Sequence, residues 1–427
     1  MKVLEAVTVA VASVALWGGG AARAATLKEL MDAADQRNVD QEISREMRVK
    51  AAQELTAASL SLAPSITAQA GYTRNEYEAK IPASPLTGGQ EIVITPYDQL
   101  DGLVRVELPL VDTTRWFRAA AASAAVDAAE NRVEMTRDAI RRQVATTYYA
   151  YAAALAVRES AKRSLSVAEA QLKLQEVRHQ TGVVTELEVL RARAEVELAN
   201  QRISDANMQV ANARRALLTL TGLDPGDVAD LPADDLRPEG TLEDLEQRAL
   251  DLPAVKAAEA DAKAAERLST AARLALVPMI SANFSERASN YSGFSGKDHQ
   301  YTAGVGLVWR LDGATWFNAD AAATQSSIAQ LTIERAKLQV RDQVHNDYQR
   351  LTAAIQKVSA ARAQVEAARR AAQLSRERYE LGAATQLDVI TTERDFFAAE
   401  VNEITARAEL ASSHITLRLS AGLPLGL

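Results

Sequence analysis

The sequence predicts a mainly α-helical protein with a membrane-spanning β-barrel sector, made by duplicating one unit of strand hairpin plus long helical hairpin. Three observations predict it. First, residues match at a constant offset of 200 from Asp112 onward, among them Trp116/Trp316, Phe117/Phe317, Arg178/Arg378, Gly182/Gly382 and Gly222/Gly422. Second, Pro and Gly are absent from 117–181, 183–221, 314–381 and 383–421. Third, segments alternating apolar and polar residues precede each long tract. Solenoid repeats have periods of roughly 20–50 residues, so the 200-residue period marks one large unit copied once.

Residues 1–24 read as a secretory signal: Lys2, an apolar stretch from Ala6 to Trp17, and Ala22-Arg23-Ala24 as cleavage site. The first repeat is placed at 25–225, with an N-terminal helix, strands at about 64–73 and 103–111, and helices at about 114–181 and 185–220. The second is placed at 226–427, with a linker and helix at about 241–277, strands at about 278–286 and 301–311, and helices at about 314–381 and 385–420.

The long tracts are rich in Ala, Leu, Glu, Arg and Gln, which are strong helix formers. A helix from 114 to 180 spans about 100 Å, so lateral packing or a coiled coil must cover its apolar side. Gly182 and Gly382 stop these helices as C′ glycines. Thr185 with Glu188, and Thr385 with Asp388, restart them with capping-box spacing. Both turns therefore fall at one end of the molecule.

The strand segments place Ile66, Ala68, Ala70 and Tyr72 opposite Ser65, Thr67, Gln69 and Gly71; Val104, Val106, Leu108 and Leu110 lie opposite Arg105 and Glu107. The second unit does the same with Ile280, Ala282 and Phe284, and with Val305, Leu307, Trp309 and Leu311. One apolar and one polar face over about ten residues suits a membrane barrel strand. Val104 aligns with Gly304 rather than Val305, a one-residue change of parity that a β-bulge would produce. Residues 75–96 and 287–299 read as polar loops. Four strands cannot close a barrel, so several copies must.

No stretch after the signal is long and apolar enough for a membrane helix. The formal charge is -8, without a basic run, which argues against nucleic acid as partner. His179, His299, His345 and His414 are scattered, with no metal-ligand spacing, and no nucleotide or catalytic motif is present. The expectation is a non-enzyme without cofactor or metal, driven by a partner.

Taken together, the strand pair, the long helix, the R-x-x-x-G-x-x-T-x-L-D/E-V turn, the returning helix and Thr221-Gly-Leu-Asp-Pro225, twice over, resemble the TolC family of outer-membrane efflux and secretion channels. The resemblance covers the whole mature chain. It implies a homotrimer in the outer membrane of a Gram-negative bacterium, with a twelve-stranded barrel continued by an α-helical periplasmic tunnel. A periplasmic membrane-fusion adaptor would dock at the tips formed by Gly182, Val183 and Val184 and by Gly382, Ala383 and Ala384. The adaptor would couple them to a proton-driven or ATP-driven inner-membrane pump. Asp388 and Glu188 would line the tunnel constriction. Tyr379 matches a residue that holds the closed state, although Ala384 replaces its usual Arg partner and Thr391 a second Asp. Passive conduction of small molecules in a tripartite efflux system is the expected function. The exit duct of an ATP-driven type I protein secretion system is the alternative, and a non-conducting trimeric stalk the third reading.

Overall fold

The computed structural model describes residues 25–426, apart from 86–87, 90, 228–230, 233–234, 238 and 294–295. The signal-like segment 1–24 lies outside the described residues. In chain order the elements are α1 (Leu27–Arg37), α2 (Val39–Leu60), β1 (Ser65–Arg74), β2 (Ala79–Ile81), β3 (Ile92–Thr95), β4 (Asp98–Val111), α3 (Thr113–Gln180) and α4 (Glu186–Thr221). The second half follows with α5 (Leu242–Ala249), α6 (Pro253–Leu274), β5 (Met279–Ser289), β6 (His299–Val308), α7 (Gly313–Glu380) and α8 (Gln386–Ser420).

The duplication extends to the details of the helices. Helices α3 and α7 each have 68 residues, N-capped by Asp112 and Asp312, whose carboxylates accept from the N–H groups of Arg115 and Thr315. Buried positions recur every seven residues. On α7 they run Val344, Leu351, Val358, Val365, Ala372, Tyr379, and on α3 Ala154, Ala161, Ala168, Gln175. A seven-residue period keeps one seam of an α-helix covered only if the helices supercoil left-handedly. The many Ala positions let the backbones approach closely, so these tracts are coiled-coil helices.

Single helices were expected before each strand pair, and each is instead broken in two. Asn38 ends α1 and caps α2, its Oδ1 accepting from Asp40 N–H at 2.9 Å. Pro253 sits in the first turn of α6, where its missing N–H costs nothing, and so separates α6 from α5. Asn38 and Leu252, the two N-caps, are 214 residues apart, as are Pro64 and Pro278 before the strands. Helices α2 and α6 are therefore counterparts, yet their surroundings differ. Helix α6 packs against both α3 and α7, while α2 packs chiefly on α3. Ile43 on α2 is 47% exposed, whereas its counterpart Ala257 is 4% exposed.

The short helices α1 and α5 clamp the long ones near mid-length, where the two main cores form. One core gathers Leu30, Met31, Val144, Tyr151 and Leu217; the other gathers Leu245, Val344, Leu351, Val358 and Leu410. Full burial of each such side chain contributes about 2 kcal/mol. Tyr151 adds a hydrogen bond to the Gly226 carbonyl. The fully buried Asp347 accepts from Arg142 at 2.7 Å and Gln343 at 2.9 Å, tying α3 to α7. Glu239 accepts from Arg418 at 2.7 Å and lies 2.9 Å from His414, so the segment between repeats is pinned to α8.

The strands form one antiparallel sheet in the order β1-β4-β5-β6. Its register puts Ile66, Val106, Phe284 and Ala303 in line across the four strands, and Ala68 beside Val104. One face is thus mainly apolar, with Glu286 beside Val104 and the pair Arg74–Asp98 at its loop end, while the other carries Thr67, Arg105, Ser285 and Thr302 in line. The parity change resolves into a bulge: Pro109 and Val111 pair with successive residues of β5, leaving Leu110 extra. That extra residue restores the common distance to the helix caps Asp112 and Asp312. Strand β6 stops at Val308 rather than 311, because its partner Met279 follows Pro278, which has no N–H to continue the ladder. Trp309 and Leu311 therefore leave the strand, and the Trp309 indole donates to the Leu276 carbonyl at 2.9 Å. Within the segment expected as a plain loop, β2 and β3 form a short hairpin. Strand β4 also begins earlier than expected, at Asp98, where it pairs with Arg74.

Candidate functional site

The tips are built from two helix stops and two restarts. Gly182 has φ +75° and Gly382 φ +76°. Each terminates its helix in a Schellman motif, with Gly182 N–H donating to His179 O at 2.9 Å and Val183 N–H to Arg178 O at 2.8 Å. Gly382 and Ala383 repeat the pattern onto Tyr379 and Arg378 at 3.1 and 2.8 Å. A Cβ on either glycine would meet no atom within 4 Å. The requirement is conformational, and it leaves a bare backbone knuckle at each turn.

Around the knuckles, Val183 is 70% and Leu381 83% exposed, with Leu187 and Leu387 also exposed and Val184 and Ala384 half-buried. Sequence reasoning passed over the three leucines as surface elements, although Leu187 and Leu387 are a matched pair at the 200 offset.

Glu188 and Asp388 are committed to helix caps. The Thr185 N–H donates to Glu188 Oε2, and the Thr385 N–H to Asp388 Oδ2, each at 2.8 Å. Asp388 N–H returns a bond to Thr385 Oγ1 at 3.2 Å. The Thr385 backbone N–H, aided by its hydroxyl, holds the exposed Asp388 carboxyl below its ordinary range. Glu188 is half-buried by comparison.

The two hairpins of the chain meet along a polar seam. Tyr379 donates to the fully buried Gln175 at 3.0 Å, and the Arg178 guanidinium lies 5.1 Å above its ring. Gln386 donates to the Glu188 carbonyl at 2.8 Å, and Arg394 pairs with Glu195 at 2.5 Å. Further along, Ser160 donates to Glu400 at 2.5 Å. Burial pushes the Glu393 carboxyl up, against the opposing pull of Arg376. Gln175 and Gln386 were missed in the sequence, but a signal existed: they break the duplication, standing where the other repeat has Ser375 and Glu186.

Among the described residues, no helix is long and apolar enough to cross a membrane, and no group of three or more His, Asp or Glu could hold a metal ion. The chain matches the family described as outer membrane efflux protein over residues 31–223 and 245–423. It belongs to that family. The outer membrane efflux protein match spans both repeats and omits most of the segment between them. One relative is the probable efflux pump outer membrane protein TtgC of Pseudomonas putida, 26% identical over 377 residues, or 84% of this chain and 75% of TtgC. Another is Protein CyaE of Bordetella pertussis, 26% identical over 342 residues, or 75% of this chain and 72% of CyaE. The fold matches the Campylobacter jejuni CmeC outer membrane channel with a TM-score of 0.78 at 18% identity, covering 94% of this chain and 87% of CmeC. As a member of this family, the protein resides in the outer membrane, and its helices extend into the periplasm. In a membrane barrel, strands of this two-faced pattern turn the apolar side to lipid and the polar side to the lumen.

Proposed function

We propose that the protein is the exit duct of a tripartite efflux system, a homotrimer that passively conducts small molecules received from a periplasmic adaptor and an inner-membrane pump. The observation that carries this reading is a set of unfilled counterparts. Strands β1 and β6 have free edges, and a free edge in lipid must find a partner. Ile43 on α2 lies open where its counterpart on α6 is covered. Phe317 is 73% exposed, whereas Phe117 is half-buried with the Arg267 guanidinium 5.9 Å from its ring. A neighbouring copy supplies all three at once, β6 pairing with the next β1 and α2 lying on the next α7. Three copies give twelve strands. Small-molecule efflux is supported by the likeness to TtgC, a probable efflux pump outer membrane protein.

The tips suit adaptor docking. Bare Gly182 and Gly382 backbones flanked by Val183, Leu187, Leu381 and Leu387 offer a close-approach surface of apolar character. Asp388 and Glu188 stand beside these turns, where a ring of carboxylates would favour cations in a closed passage. Tyr379 holds the passage shut through Gln175, which takes the place of the Arg that Ala384 does not supply.

Photo-crosslinking in cells from Val183 and Ala383, combined with conductance of the purified trimer in planar bilayers, tests this reading. Capture of a membrane-fusion adaptor by a conducting trimer is expected. Assembled trimers that capture only themselves would overturn the docking role, and a trimer without conductance would overturn the channel.

A further inference from the structure

The polar face of the sheet carries four charged side chains, Asp101, Arg105 and Glu107 on β4 and Arg287 on β5, two of each sign. Two of them are locked together at the loop end. Arg287 donates from Nη2 to Asp101 Oδ1 at 2.6 Å and from Nε to the same oxygen at 3.1 Å. Gln99 Nε2 donates to the other Asp101 oxygen, and the Tyr291 hydroxyl accepts from Arg287 Nη2 at 3.0 Å. Asn75 in turn donates to Gln99 at 3.3 Å. The pair stands proud of the sheet: the Arg287 side chain is 53% exposed, and the neighbours across from Asp101 are only Gly71 and Ser289.

We propose that Asp101 and Arg287 are a charge-balancing station at the extracellular mouth, which makes the exit indifferent to the sign of a small charged solute. The inference rests on the channel reading above and extends it to solute class. Arg287 alone would give the trimer three positive charges at its outer end, which attract anions and slow the exit of cations. Asp101 cancels that field in place, and Gln99, Tyr291 and Asn75 keep the two groups from separating. Discrimination by charge then belongs to the carboxylates at the periplasmic tips, and whatever passes them leaves without a second test.

The chain contains no cysteine, so a single thiol can report the field at the mouth. Ser285→Cys places it on the same face, two residues and about 7 Å below Arg287. The probes are one anionic and one cationic methanethiosulfonate of similar size, added from the extracellular side of conducting trimers. At that distance one unit charge in water-like surroundings changes each rate by roughly three-fold, hence their ratio by about nine-fold. Asp101→Asn, opposite Ser289 and about 14 Å along the strand from the thiol, is expected to raise the anion-to-cation rate ratio by about three-fold, Arg287→Gln to lower it by three- to about nine-fold, and the double variant to bring it back toward the starting value. A ratio unmoved by both single variants overturns the proposal. A thiol that neither reagent reaches in a conducting trimer overturns the placement of this face in the lumen. Loss of conductance in the unsubstituted trimer would instead remove the channel reading itself.

Discussion

Tyr379 and Gln175 are the last members of two buried seven-residue strings, and they face each other through a 3.0 Å hydrogen bond. Everywhere above them the strings themselves are aliphatic or Ala, so each string ends in a polar side chain where the two hairpins meet. An apolar rung slides with little directional penalty. A buried polar rung has one good geometry and loses its bond when the hairpins part.

Tyr379→Phe therefore keeps the packing and removes the bond, at about 1 kcal/mol per protomer. Summed over three seams, this shifts the open-to-closed balance by roughly a hundred-fold. Single-channel recordings should show a much higher open probability for this variant without adaptor. Unchanged gating would place the closed state's hold elsewhere on the seam.

Gly382→Ala and Gly182→Ala strain a positive φ and meet no neighbouring atom. Each should cost about 1 kcal/mol in the stability of its turn. Thermal unfolding of the trimer should change little, while adaptor binding, measured by surface plasmon resonance, should weaken by ten-fold or more if the partner's backbone seats on the knuckle.

The Asp388 cap gives the tip a pH dependence with a definite sign. Its folded-state pKa lies below the ordinary 3.8, so the stabilisation is fully present above 3.8 and is lost as pH falls through the lowered value. A spin label at Ala383→Cys should keep its restricted mobility from pH 7 to about 4 and loosen below the ordinary carboxylate range. Asp388→Asn should show the looser state at every pH.

Ile43→Arg places a charge on the face of α2 proposed to meet the neighbouring copy. Native mass spectrometry in detergent should find monomers or a strongly weakened trimer, because an uncompensated charge buried at an interface costs several kcal/mol. A charge placed at exposed Val49 gives a control of the same type. A fully trimeric Ile43→Arg protein would move the subunit contact away from α2.

The fold class was legible because its signals are redundant. The 200-residue offset, the Gly- and Pro-free tracts and the two alternating strand pairs all follow from local chemistry. Gly182 and Gly382 could be read as helix stops because only a C′ position needs a left-handed residue between two such tracts. The division of each leading helix was less legible, since Asn38 carries no helix-breaking penalty and acts only through its side-chain cap. Hairpin β2–β3 was hidden in a polar, Gly- and Pro-containing segment whose strands have only three and four residues. The seam was the least legible. Gln175 and Gln386 look like ordinary helical surface residues, and only the three-dimensional phase of the coiled coil makes them interior. The heptad from Val344 to Tyr379 was nevertheless present in the sequence and would have exposed one side of that seam.

Gln175, Tyr379 and Gln386 have no equals in the other repeat, where Ser375, His179 and Glu186 stand. In the proposed ring of three copies, six junctions would then alternate between two kinds. Three are sewn within a chain by Tyr379 and Gln386, and three lie between chains with a serine, a histidine and an additional acid in the corresponding places. Such a ring would have three-fold mechanical equivalence and not six-fold. An outward pull applied evenly to that ring would yield first at alternate junctions, so the aperture would dilate as a rounded triangle before it became a circle, its earliest passable cross-section set by the weaker set of joints.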